Sequence, residues 1–196
     1  MLLVSRSTTA YHHGNLGPAL EDAALELMRT HGHATLSLRE VARRAGVSHN
    51  APYHHFGDRT ALLKRLSERG MAELLDAMRE EREATTGRDP QETAVRIGST
   101  YVHYAAQHPE RFRLIYDPEV CVPGSPSEAM APLIGGVEAL LAETTASLAP
   151  GAEPQVVAAL TTAVWAAVHG LAELVVAGHI SEVEARPALE ALLTRP

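Results

Sequence analysis

The chain has 196 residues, 45% hydrophobic and 4% aromatic, with 17 Lys and Arg against 24 Asp and Glu, a formal charge of −7. That length can bury a core without cross-links, and the single cysteine, Cys121, excludes an intrachain disulfide and a cysteine-built metal cage. Ala and Leu supply 56 residues while Val and Ile supply 19, a balance that favours helix over sheet, so the expected fold is all-α.

Residues 1–13 lack apolar periodicity and read as a flexible arm. They show no apolar run behind a basic flank, so no secretory signal is expected and the cytoplasm is the expected compartment. A first helix is predicted over 16–31, with Asn15 as cap and Pro18 in its first turn, where a missing N–H costs nothing. Its stripe is Leu16, Leu20, Ala24, Leu27 and Met28. Ser37 and Glu40 form a capping box before a second short helix that stops at Gly46. Ser48 is the expected cap of a third helix over 49–56. Asp58 caps a long fourth helix over 59–84.

Five more helices are predicted, at about 91–107, 109–116, 127–148, 155–177 and 182–194. Residues 155–172 carry no Asp, Glu, Lys or Arg over 18 positions. Gln155, Thr161, Thr162 and His169 interrupt that run, so a buried helix of a soluble bundle is expected there and not a membrane span.

Charge is unevenly placed. Residues 1–75 hold 9 Lys and Arg against 7 Asp and Glu, whereas 76–196 hold 8 against 17, and seven of the eleven histidines precede residue 76. Such asymmetry suits a chain whose first part meets an anionic partner. The segment SLREVARRAGVSHNAPYHHF (37–56) spells two short helices at a Gly turn, a helix-turn-helix. His49, Asn50 and Ala51 are short or carry donors and acceptors suited to base edges in a major groove. Tyr53, His54 and Arg59 can reach phosphates, and Ser48 and Ser37 open helices whose N-termini favour them. Spacing alone leaves an ordinary helical hairpin open.

From Tyr11 to about Leu75 the chain resembles the N-terminal DNA-binding domain of the TetR family of bacterial transcriptional regulators. The resemblance rests on YHHGNL, SLREVARRAGVS, APYHHF and the Arg59–Leu63 stretch. Two departures stand out: Ala51-Pro52 in place of the usual Thr-Leu, and Arg59 in place of a common lysine. Trp165, His169 and Gly170 resemble the signature of the Trp/His-Gly subgroup, and HPERFRLIY (108–116) resembles its sixth-helix region. The resemblance implies a helix-turn-helix domain over 14–57 and a helical domain over 58–196 for dimerisation and effector binding. It implies a transcriptional regulator, usually a repressor, that binds a palindromic double-stranded operator as a homodimer.

Trp165, His169 and Glu173 share one helix face, and Glu173 is placed to fix the His169 ring. Ala159, Ala163, Ala166, Ala167 and Gly170 are small enough for a second copy to approach, so the dimer is expected through 155–177 and 182–194. Candidate effector contacts are Tyr101, Tyr104, Phe112, Met130, Trp165 and His169, in an enclosed apolar pocket among the fourth to eighth helices. A regulator controlled by a protein partner without an effector is the alternative, followed by a small-molecule binding protein or enzyme. No cofactor, metal ligand set, nucleophile elbow or phosphate loop is read in the chain, and no catalytic residue is assigned.

Overall fold

The computed structural model describes residues 16–193, and among them every regular element is a helix. The arm over 1–13 and the Asn15 cap lie outside the described residues. The chain divides into two units, one ending at Leu62 and the other beginning at Leu63. This places the boundary a few residues inside the long helix that the sequence assigned wholly to the second domain.

The first unit holds α1 (Leu16–His31), α2 (Leu38–Arg44), α3 (Ala51–Phe56) and the first residues of α4 (Arg59–Ala84). Leu20, Ala24 and Met28 of α1 meet the core with Leu36, Val41, Ala42 and Leu62, all nearly or fully buried. Leu27, predicted on the same stripe, is only half-buried. The Ser37 half of the capping box forms: the Glu40 N–H donates to Ser37 Oγ at 3.2 Å. Gly46 makes the turn after α2 with φ of 68°, where a side chain would be strained. Its neighbour Val47 donates back to the Ala42 carbonyl at 3.0 Å.

One boundary differs from expectation. α3 starts at Ala51, two residues late, and Asn50 holds the cap position in place of Ser48. The cause is Pro52. A helix starting at His49 would need the N–H that Pro52 lacks, whereas a start at Ala51 puts Pro52 in the first turn. His49 and Asn50 therefore sit in the turn that leads into the helix.

The second unit is built around α5 (Pro90–Gln107), which packs against α6 (Pro109–Ile115), α7 (Met130–Leu148), α8 (Pro154–Val176) and α9 (Glu182–Leu193). Its core joins Met71, Leu74 and Met78 of α4 to Val95, Tyr101 and Val102 of α5, Phe112 of α6 and Leu189 of α9. Phe112 is fully buried. α7 begins three residues later than expected because Ser127 caps the turn before it, accepting from the Met130 N–H at 3.1 Å.

α8 departs furthest from its reading. It is long and apolar enough to cross a membrane by length and composition, yet only 17% of its most apolar window is buried within the chain. Val164, Val168 and Ala172 form the one buried stripe. Val156, Ala159, Ala163, Trp165, Ala166 and Leu174 are exposed. Composition gives a helix's overall apolarity but not how much of it one chain can cover.

Candidate nucleic-acid interface and effector cleft

The helix-turn-helix presents a continuous exposed row. Ser48, His49, Asn50, Tyr53 and His54 are exposed, and Ala51 is half-buried between them. Buried Pro52 and half-buried Val47 anchor the row from beneath. The Ser48 hydroxyl accepts from the Asn50 N–H at 3.4 Å, and the Asn50 side chain makes no capping bond to α3. α3 is seated on α1 by a close approach, since the His55 ring occupies the space where a Cβ on Gly17 would stand. His55 also meets Phe56 edge to face, with ring centroids 4.6 Å apart. The row thus offers hydroxyl, imidazole, carboxamide and phenol groups on a short, fastened helix and the turn that leads into it, the chemistry that reads base edges and phosphates.

Two residues assigned to phosphate contact are engaged inside the unit. Ser37 Oγ caps α2 and lies 3.4 Å from Glu40 Oε2. Arg59 donates from Nε to the Leu36 carbonyl at 2.9 Å, and from Nη2 to the carbonyls of His33 at 2.6 Å and Ala34 at 3.2 Å. Its guanidinium thus ties the start of α4 to the loop between α1 and α2. Periodicity shows that residue 59 opens a helix, but not that three loop carbonyls lie within its reach.

In the second unit an apolar cleft opens between α4, α5, α7 and α8. Met78 and Ala94, Ile97 and Gly98 line it from α4 and α5, Val137, Leu141 and Thr144 from α7, and Val164, Trp165 and Val168 from α8, with Tyr101 at one end. Its volume is about 30 Å³, room for roughly two water molecules. The expected apolar pocket is therefore a narrow cleft, much smaller than an effector. Gly98 lets α5 approach α8 and α9 closely, because a Cβ there would press on Leu189 and Val168 at 3.3 and 3.4 Å.

Of the six predicted effector contacts, only Tyr101 and Trp165 line this cleft. His169 and Phe112 lie behind Tyr101. The Tyr101 hydroxyl is 2.9 Å from His169 Nδ1 and 2.7 Å from the Tyr116 hydroxyl. Phe112 stacks edge-on to Tyr101 at 5.5 Å and tilts over His169 at 5.5 Å. Tyr104 is directed elsewhere. Its hydroxyl donates to the Gly70 carbonyl at 2.9 Å and stands 3.4 Å from Glu73, which pairs with Arg111 at 2.5 Å. Met130 faces a separate hollow with Ser67 and Cys121. Neither residue lines the cleft between α4, α5, α7 and α8. Helical spacing assigns a face, and both residues are on inward faces, but the interior they meet is not the cleft.

Burial raises the Tyr101 and Tyr104 phenols far above the ordinary value of 10.0, and Tyr116 also shifts upward, so all three stay protonated. Burial lowers His169 below its ordinary 6.5, while Glu173 acts in the opposite sense. Glu173 Oε1 is 3.9 Å from His169 Nε2, beyond a hydrogen bond. Tyr101, not Glu173, thus fixes the ring. The 68 residues between Tyr101 and His169 hide that partnership from any local pattern. Cys121 sits beside the other hollow with its thiol raised by burial.

The family described as "Bacterial regulatory proteins, tetR family" matches residues 20–66, and the family described as "Tetracyclin repressor-like, C-terminal domain" matches residues 94–195. The second match includes the Trp165–Gly170 segment. No curated protein matches the chain. Among solved structures, a protein of unknown function from Rhodococcus sp. RHA1 is similar, with 28% identity and a TM-score of 0.77. The match covers 95% of this chain and 100% of that one. A TetR-like transcriptional regulator from the same organism shares 18% identity and a TM-score of 0.67, over 93% of this chain and 96% of its own. The transcriptional regulator FadR from Bacillus subtilis, solved in complex with stearoyl-CoA, shares 16% identity and a TM-score of 0.67, over 90% and 96%. The last two likenesses, under 25% identity, concern the fold alone.

Proposed function

The chain belongs to the TetR family of bacterial regulatory proteins and is a DNA-binding transcriptional regulator, not an enzyme; from that premise we propose a ligand-responsive, homodimeric repressor acting in the cytoplasm. The observation that carries the DNA half of this reading is the exposed row Ser48, His49, Asn50, Ala51, Tyr53 and His54 on a fastened helix-turn-helix. Asn50 and His49 meet base edges, Tyr53 and His54 meet phosphates, and the backbone at Ser37 adds a helix N-terminus. Arg59 positions this surface from behind.

The dimer is proposed through α8 and α9. α8 leaves most of its apolar circumference uncovered by its own chain, and Val183 and Leu192 of α9 are exposed at 83% and 53%. A second copy on a two-fold axis covers both helices at once. In a family of soluble regulators that cover is favoured over a membrane. An effector in the second domain would shift the spacing of the two recognition segments, changing the fit to half-sites about 34–36 Å apart. The apolar lining of the cleft at Tyr101 and Trp165, which must widen to admit a ligand, supports this reading; the structurally similar FadR was solved with a different, charged ligand, stearoyl-CoA.

The test is Asn50→Ala, measured against the preferred DNA sequence and a scrambled one. Specific affinity should fall by about 1–3 kcal/mol, with non-specific affinity unchanged. An equal loss on both DNAs would remove Asn50 from base reading.

A further inference from the structure

No charged side chain lines the effector cleft, and its few polar groups are already engaged. The Thr144 hydroxyl donates to the Leu140 carbonyl at 2.7 Å. The Tyr101 hydroxyl is shared between Tyr116 and His169. Basic groups stand outside the lining: His169 bonds Tyr101 from behind, and Arg82 lines a neighbouring hollow that shares Thr144. An ion entering this space would leave water for a lining that holds no counter-charge, which disfavours its binding.

We infer that the effector of this site is an uncharged, largely hydrocarbon molecule that enters by parting the α7–α8 side of the cleft. The inference rests on the reading of the chain as ligand-responsive and specifies the ligand class. The direction of opening follows from burial. The α5 wall is covered by the core: Ala94, Ile97 and Tyr101 are 4%, 5% and 2% exposed. The opposite lip is less covered within one chain: Val137 and Leu141 are half-buried, and Trp165, on the helix proposed to meet the second copy, is 44% exposed. About 30 Å³ is far below the roughly 150 Å³ of an apolar cavity that takes up benzene, so binding requires the lip to move. One hydroxyl or carbonyl on the ligand can be accommodated at the Tyr101 end, by exchange for one of the two bonds that its hydroxyl makes. Trp165 forms part of the moving lip and is the only tryptophan in the chain, so its emission reports entry directly.

Decan-1-ol and decanoate form a matched pair, one neutral and one ionised at about pH 8. Each is titrated into the full chain while Trp165 emission is followed, and the titration is repeated with Val137→Phe, which fills the lip from α7. Decan-1-ol should give a saturable change, decanoate should need at least about tenfold more, and Val137→Phe should weaken decan-1-ol at least about tenfold. Decanoate binding as tightly as decan-1-ol, with both weakened by Val137→Phe, would overturn the uncharged class and leave a ligand-binding cleft standing. A decan-1-ol response that Val137→Phe does not alter, or no response to either compound, would overturn the cleft as the site. Repeating the titration with bound DNA separates the two claims. Saturable, Val137-dependent binding of decan-1-ol that leaves DNA affinity unchanged upholds the ligand class and sinks ligand control of DNA binding.

Discussion

Arg59 and His169 both carry polar groups that the fold uses internally, and each makes a separable prediction. Hydrogen bonds from a charged donor contribute about 1.5–3 kcal/mol each, and Arg59 makes three to loop carbonyls. Arg59→Ala should therefore lower stability by at least about 2 kcal/mol in a denaturant titration. It should weaken binding to every DNA sequence without changing the preferred one, and the salt dependence should persist. A fall in the salt slope with unchanged stability would return Arg59 to the phosphate contacts. For His169 the folded pKa lies below the ordinary 6.5, so the fold favours the neutral ring. Its contribution is complete above about 6.5 and is lost as pH falls through the folded value. Thermal unfolding between about pH 7.5 and 5 should show this loss in the native chain and less of it in His169→Phe. Equal pH profiles would mean that burial of the ring leaves its proton affinity unchanged.

At the scale of elements, legibility followed the locality of the forces involved. α1 lies where its apolar stripe places it and α4 where Asp58 caps it, because both signals act within a few positions. The start of α3 was missed by two residues because Pro52 outweighed the Ser48 cap. The site was less legible than the fold. The exposed row of the helix-turn-helix was readable from 37–56, but the bonds of Arg59, Tyr104 and Tyr101 join residues 23 to 68 positions apart. Helical phase cannot reveal such partners. α8 carries the element-scale prediction. Its open face includes Ala163, so Ala163→Arg should convert the proposed dimer to monomers in sedimentation while leaving helical content intact. A dimer unchanged by this substitution would exclude that part of α8 from the interface.

At the scale of the molecule, charge and architecture point the same way. The chain is acidic overall, at −7, yet its first 75 residues carry a small positive excess and most of the histidines. The helix-turn-helix lies within that part, and the acidic remainder holds the bundle with the cleft and the open α8 face. One copy of so short a recognition segment reads only a few base pairs, so discrimination among many sites calls for two copies on a symmetric operator. Selection of bound DNA from a random pool by the purified full-length chain tests this most directly. The expected result is a two-fold symmetric sequence whose half-sites lie about 34–36 Å apart, or a whole number of helical turns more. Recovery of a single asymmetric site, or no enrichment over the starting pool, would contradict the account.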